Sequence, residues 1–382
     1  MRSYLDYAST TPLHPAAREA MEQVLDEGSW NPSGQHSLAR KARLRLDEAR
    51  ESIARVLACE PGEVVFTSGG TESDNLAVLG VHGARPGTVV CSAVEHPAVL
   101  RCCERTGARV VPVDSAGVLD LEALAGALDP AVSLVSVMLA NNEVGVIQPV
   151  GEVADMVRAL APDAALHTDA VHAAPWLDVG ACCARADLVS LSAHKFGGPV
   201  GSGVLVVRSG TPFTSTLYGG SQELGRRAGT ENVVGAVGMA AALAASADAR
   251  EAEVERVGQL RDRLVHELVE GSVEARESAL YLDGTRPPKV AGSCHVCVEG
   301  VDSQELLFAL DRAGVCASAG SACSSGAREP SHVLAAMGVS PRLALGALRL
   351  TLGHTTTAAE VDHAVDAVGE AVAKLRTGRQ AR

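Results

Sequence analysis

An α/β architecture of two lobes, the larger built on a mostly parallel sheet and the smaller of mixed α/β character, follows from three observations. Short apolar runs alternate with helix-length segments from residue 63 to residue 207, an almost continuously helical stretch covers 231–270, and further strand and helix signals follow it. At 382 residues the chain is also too long for one simple core.

The alternation reads in order as EVVFTS then TESDNLAVLG, TVVCSA then HPAVLRCCE, ARVVPV then DLEALAGAL, and VSLVSVML then VGEVADMVRAL, followed by ALHTDA, DLVSLS and GVLVV. Apolar strands without strict alternation are expected to be covered by helices on both faces, and ligands of such sheets sit at the carboxyl ends of the strands. The stretch 231–270 is expected to be a long helix leaving the large lobe. Beyond it come a half-buried strand at 290–298, a helix opening at Asp302 with Glu305 three residues on, a strand at 347–352, and a last helix opening at Thr357 with Glu360 placed for a capping box. The terminal TGRQAR reads as frayed.

Composition narrows the function. Hydrophobic residues are 47% and charged residues 21%, the balance of a globular protein, and the net charge of −13 argues against direct nucleic-acid binding. MRSYLDYASTTPLHP lacks the apolar core of a signal peptide, and the apolar-leaning run 232–247 reads as a buried helix, so a cytoplasmic protein without a membrane partner is expected. Ten cysteines in such a chain are expected to stay reduced. Cys294-His295-Val296-Cys297 has zinc-like spacing but no second ligand pair nearby, so it reads as strand core and no metal site is expected.

The residues with chemistry cluster at the expected strand ends. Lys195 in Ser192-Ala193-His194-Lys195 lies between a strand and the Gly-rich FGGPVGSG, and an enclosed lysine sheds its proton more readily than one in water. Asp169 closes the strand ALHTDA, where a carboxylate can hold the ring nitrogen of pyridoxal phosphate protonated. Thr67-Ser68-Gly69-Gly70-Thr71 joins a strand to a helix whose first amides suit a phosphate. Cys323 sits in SAGSACSSG, a run of small residues without helical or strand period, which reads as a mobile loop. Thiolate chemistry needs the access that Cys91 and Cys297, in apolar runs, lack.

With YLDYASTTP, FTSGGTESDN, EHPAVL, NNEVG, SAHK, GRRAGTEN and GSACSSG in this order, nearly the whole chain resembles group I cysteine desulfurases. The resemblance implies a fold-type I pyridoxal-phosphate transferase and a homodimer. Its large domain would be 14–257, and its small domain 1–13 with 258–382, carrying the cysteine loop. It implies removal of sulfur from L-cysteine to give L-alanine and a persulfide on Cys323, passed to an acceptor protein such as an iron–sulfur scaffold, a tRNA-thiolating enzyme or another sulfur-modification enzyme. It further implies that Lys195 binds the cofactor and that His96 stacks on it and assists proton transfer. Asn142 would hydrogen-bond the cofactor, and Gly70, Thr71, Ser192 and His194 would hold its phosphate with Thr230 from the partner subunit. Arg349 would clamp the substrate carboxylate, and Asn31 is a further substrate-side residue. One departure stands out: the family's glutamine facing the cofactor's phenolic oxygen is His172 here, a residue type that can titrate near neutrality. Gln35 and Leu224 are lesser departures. An aminotransferase, a selenocysteine lyase and a non-catalytic sulfur-relay scaffold are the rival readings.

Overall fold

The computed structural model describes residues 1–271, 273, 275–320 and 331–380, the last three by backbone only; Cys323 lies outside the described residues. Its large sheet has seven strands in the order Val64–Thr67, Gly203–Val207, Leu188–Ser192, Ala165–Asp169, Val132–Ser136, Thr88–Ser92, Arg109–Val111. The last five run parallel, and Gly203–Val207 is antiparallel to both of its neighbours.

The near-continuous apolar character of these strands has the expected cause. Val64, Phe66, Val90, Val204 and Val206 enter one core with Leu46, Ile53, Val153 and Met239. Their strand neighbours Val65, Val89, Cys91, Leu205 and Val207 enter another with Leu76, Val81 and Val99 on the opposite face. The covering helices include Gly70–Ala84, Pro97–Thr106, Leu121–Ala127 and Val150–Leu160. Two helices unassigned from the sequence, Pro15–Glu27 and Ser37–Val56, pack on the long helix Val233–Val269.

That long helix is apolar and long enough to cross a bilayer, but Ala236, Met239, Ala242 and Leu243 are buried in the large core and Val257, Leu264 and Leu268 in a second one. Gly238 permits the close approach of Pro15–Glu27: a Cβ there would stand 2.6 Å from Met21 Cγ.

The second core belongs to the smaller lobe. Its antiparallel sheet runs Ala347–Thr351, Ser293–Cys297, Arg276–Glu277, backed by Ser303–Ala313 and Ala358–Gln380. Asp302 Oδ1 accepts from the amides of Gln304 and Glu305, and Thr357 and Glu360 form the reciprocal capping box their spacing predicts. The strand around 293–297 is buried on both faces rather than one, because Cys294 faces the small-lobe core and Cys297 packs with Val94 and Met138 at the lobe junction. Being on opposite faces, the two thiols cannot ligate one ion. The final helix extends to Gln380, so most of TGRQAR is helical rather than frayed. Ser3–Tyr4, unassigned from the sequence, pairs in parallel with Val315–Cys316, and Asp6 bridges to Thr351.

One turn is strained. Glu223 and Leu224 both have left-handed backbones, at φ of 48° and 57°, which costs about 1 kcal/mol or more for each non-glycine residue. The buried Glu223 carboxylate accepts from Arg50 Nη1 and Nη2 at 2.8 and 2.7 Å and from the Phe66 amide at 2.9 Å, and these bonds hold it in place. Glu223→Ala, which leaves the Arg50 guanidinium without its carboxylate, is expected to lower the unfolding free energy by about 3 kcal/mol in urea titrations followed by circular dichroism. A loss within the range of an exposed pair, about 1 kcal/mol or less, would show the ion pair is not what holds the turn.

Candidate active site

Five strand ends deliver the site. Ser68–Thr71 follows Val64–Thr67, His96 follows Thr88–Ser92, Asn142 lies beyond Val132–Ser136, Asp169 ends its strand, and Ser192 with Lys195 ends Leu188–Ser192. Lys195 Nζ donates to the carbonyls of Ala8 and Ser9 at 2.5 and 3.0 Å, so the amino-terminal segment closes over the lysine. Its charge acts on His96, Asp169, His172 and His194.

Asp169 is buried, and burial lifts its carboxyl to about 6 against the opposing pull of the Val171 amide, 2.8 Å from Oδ1, and of Lys195. A cation set against this carboxylate would return it to the ionised form. His96 caps the helix Pro97–Thr106, its Nδ1 accepting from the Ala98 amide at 3.1 Å, which leaves the proton on Nε2. Burial, Lys195 and His332 hold its ring down at about 4, so it is neutral at physiological pH.

At the helix start, Gly69 and Gly70 leave a cradle that side chains would fill. A Cβ on Gly70 would stand 2.8 Å from Val171 Cγ2 and one on Gly69 3.6 Å from Ser192 Oγ. His194 Nδ1 pairs with Thr10 Oγ1 at 3.1 Å, and burial lowers its ring to about 4. Glu72, in the first helical turn, is taken up by Arg227 at 2.8 Å and by the Ser68 amide at 2.7 Å.

Arg349 comes from the small-lobe strand Ala347–Thr351 and is 2% exposed. Nη2 donates to Asp6 Oδ1 at 2.9 Å and Ser9 Oγ at 3.0 Å, Nη1 donates to the Asn142 carbonyl at 3.1 Å, and the buried Nε has no hydrogen-bond partner among the described residues. An orphaned guanidinium donor at a site edge suits a carboxylate ligand. Asp6 and Ser9 were invisible to sequence reasoning as individuals; the only signal was the segment YLDYAST that contains them.

Two predicted residues stand apart from this cluster. Asn31 lies on an exposed turn, its Oδ1 accepting from the Ser33 amide at 2.9 Å, and Thr230 is exposed beyond the strained turn. Cys91 and Cys297 are buried, as expected from their runs. A cleft opens between the lobes beside Lys195 and His172, walled by Trp176, Ala249 and Leu352.

Residues 3–364 match the family model described as aminotransferase class-V. The chain is 41% identical to the cysteine desulfurase IscS of Dictyoglomus turgidum, the match covering 98% of this chain and 95% of the relative. It is 42% identical to the IscS-like cysteine desulfurase of Mycobacterium tuberculosis, covering 98% and 97%. Among solved structures, a NifS-like protein superimposes with a TM-score of 0.90 at 34% identity, covering 98% of this chain and all of the other.

His172 departs from the sequence expectation. It is buried, its Nε2 is 3.3 Å from Ser293 Oγ on the small-lobe strand, and burial with the charges of Lys195 and Arg349 holds its ring at about 3. A ring so far depressed stays neutral where an exposed histidine titrates, so no pH sensitivity near neutrality arises here. With pyridoxal phosphate added, the absorbance titrated from about pH 6 to about pH 9 is therefore expected to follow the same curve for the native protein and for His172→Gln. An inflection near neutrality present in the native protein and missing from the variant would show that His172 titrates after all.

Proposed function

This chain belongs to the class-V aminotransferase family and is a cysteine desulfurase, and we propose that it uses pyridoxal phosphate at Lys195 to turn L-cysteine and the Cys323 thiol into L-alanine and a Cys323 persulfide. The observation that carries this residue assignment is the convergence of Lys195, Asp169 and neutral His96 at the carboxyl ends of parallel strands of one sheet, with Arg349 entering from the other lobe.

The residues present fit the cofactor. Ser192, His194 and the first amides of the helix at Gly70 and Thr71 would hold the phosphate, in the cradle that a Cβ at Gly70 would obstruct. Asp169 would supply the buried carboxylate for the ring nitrogen, His172 would bond the phenolic oxygen, Asn142 would add a hydrogen bond, and His96 would stack on the ring. When bound, pyridoxal phosphate supplies an electron sink that acidifies the substrate α-carbon and lets the β-sulfur depart.

The chain's own residues do the rest. Arg349 takes the substrate carboxylate, with Asn31 on the substrate side. Lys195 removes the α-proton, and His96, neutral and carrying its proton on Nε2, assists proton delivery. The Cys323 thiolate forms a sulfur–sulfur bond as the substrate's carbon–sulfur bond breaks; the electron pair stays with the carbon, which then takes a proton. The exchange is redox-neutral, so it calls for no external oxidant.

The active unit in this reading is a homodimer in which Thr230 completes the phosphate site of the partner subunit. The exposed Val200, Leu217, Tyr218 and Leu224, near Thr230 in sequence, support a covered face there. The persulfide passes to an acceptor protein, an iron–sulfur scaffold, a tRNA-thiolating enzyme or another sulfur-modification enzyme. Free thiols at all cysteines among the described residues accord with the reducing cytoplasm.

Two substitutions test the assignment. Lys195→Ala is expected to lower alanine production by about a hundredfold or more while circular dichroism shows the native fold, because the α-proton base is lost. Cys323→Ala is expected to keep the cofactor and to change its absorbance when L-cysteine is added, yet to form no protein persulfide and little alanine. Native turnover by either variant would refute the role given to that residue. Persulfide on Cys316 would name a different acceptor.

A further inference from the structure

His295, the histidine of the CHVC run, belongs to none of the groups assigned above. Along Ser293–Cys297 alternate side chains take opposite faces. Cys294 and Val296 enter the small-lobe core, so the row of Ser293, His295 and Cys297 turns toward the large lobe: Ser293 Oγ is 3.3 Å from His172 Nε2, and Cys297 packs with Val94 and Met138. The strand Ala347–Thr351 repeats the pattern. Leu348 and Leu350 enter the small-lobe core, Ala347 joins Cys297, and Thr351 Oγ1 accepts from the Ala8 amide at 2.9 Å. The antiparallel register sets Ser293 opposite Thr351, His295 opposite Arg349 and Cys297 opposite Ala347. His295 therefore stands beside Arg349 on the sheet face that closes the site.

Hydrogen bonds behind the ring decide where its proton sits. His295 Nδ1 is 2.7 Å from Ser278 Oγ, and the same oxygen is 3.5 Å from Cys297 Sγ. The serine has one hydroxyl hydrogen, and an imidazole nitrogen accepts it far better than sulfur does. Burial raises the Cys297 thiol, so the sulfur keeps its hydrogen and donates to Ser278 Oγ, while Ser278 donates to Nδ1. The proton of the neutral ring is then on Nε2. Burial with the charges of Lys289 and Arg349 holds the ring down at about 3, so it stays neutral at physiological pH. Nε2 is buried and has no hydrogen-bond partner among the described residues, and neither has Nε of Arg349 on the facing strand. Two buried N–H donors on one sheet face, at directly opposed positions, suit an anion with two oxygens.

We infer that His295 is a substrate-binding residue whose Nε2–H donates, alongside Arg349, to the α-carboxylate of the amino acid. The inference rests on the reading of Arg349 as the carboxylate-binding residue. A neutral ring adds a donor without the cost of burying a second cation. It also sharpens selection: an amine that lacks the carboxylate leaves both buried donors unpaired and forfeits their binding energy. The zinc-like spacing thus has a different use, since Cys297 supplies Ser278 with a hydrogen bond and Ser278 sets the tautomer of His295.

The test uses the holoenzyme and its His295→Leu, His295→Gln and Ser278→Ala variants. Dissociation constants of L-alanine and of ethylamine, the same molecule without its carboxylate, are read from the cofactor absorbance, and KM and kcat for L-cysteine from alanine production. His295→Leu is expected to weaken L-alanine binding and raise KM for L-cysteine about tenfold, without a matching fall in kcat and with ethylamine bound within about twofold of native. His295→Gln keeps an N–H donor and is expected to recover to within about threefold of native. Ser278→Ala lets the ring proton move to Nδ1 and is expected to weaken L-alanine alone by about threefold, which keeps the question answerable if His295→Leu does not fold. Native L-alanine binding in His295→Leu and Ser278→Ala would overturn the inference. So would an equal weakening of ethylamine, the mark of a general disturbance where the lobes meet. Arg349→Ala run alongside separates the two claims. A native preference for L-alanine over ethylamine there refutes the carboxylate reading of Arg349, whereas a lost preference there with native His295 variants refutes the role of His295 alone.

Discussion

The buried guanidinium of Arg349 ties the rest of the site together. Taking such a cation out of water costs several kcal/mol, roughly, unless its donors are met, and here its Nη donors are met from two directions while its backbone is held from a third. Asp6 and Ser9 approach from the amino-terminal segment, Asn142 from the large lobe, and Ser318 pairs with its backbone. The remaining Nε has no partner among the described residues. Because Ala8 and Ser9 also hold Lys195, one segment orients both Arg349 and Lys195. Displacement of that segment would disturb both groups at once.

Electrostatics then sort residues of one type into different tasks. Burial pushes the thiols of Cys59 and Cys102 up to about 11 and that of Cys294 up to about 12, far from thiolate formation at physiological pH. A chain with ten cysteines whose substrate is also cysteine must keep most of its own thiols out of sulfur exchange, and burial does so without disulfides. Burial lifts Asp169 to about 6 with Lys195 at hand, and burial together with the charge of Asp169 pushes Asp74 and Glu95 up as well.

How legible this was in the sequence depended on the range of the interactions. The seven large-sheet strands and the residues at their ends were readable because hydrophobic period and turn chemistry are local, and Lys195, Asp169 and His96 fall where strand ends put them. The helices Pro15–Glu27 and Ser37–Val56 and the short strand Ser3–Tyr4 were not assigned. The strand acquires its partner only at Val315–Cys316, and Asp6 meets Arg349 across 343 residues. The titration of His172 was misjudged for the same reason: residue type suggests a switch near neutrality, but Ser293 and the closed lobe junction, far along the chain, decide its burial.

The reversed strand Gly203–Val207 has a consequence for how the molecule is made. Val64–Thr67, the strand that leads into the Gly69–Gly70 cradle, has its one partner in the sheet in that reversed strand, so the cradle's foundation waits on the ribosome until residues beyond 207 have emerged. Ser3–Tyr4 must wait longer still, until Val315–Cys316 is available to receive it. Helices in between can form early, but Lys195 gains its carbonyl partners at Ala8 and Ser9, and Arg349 its partners at Asp6 and Ser9, only when the segment 6–9 docks across both lobes. Closure of the two lobes on that segment is therefore a late event in folding, set by contacts between distant parts of the sequence.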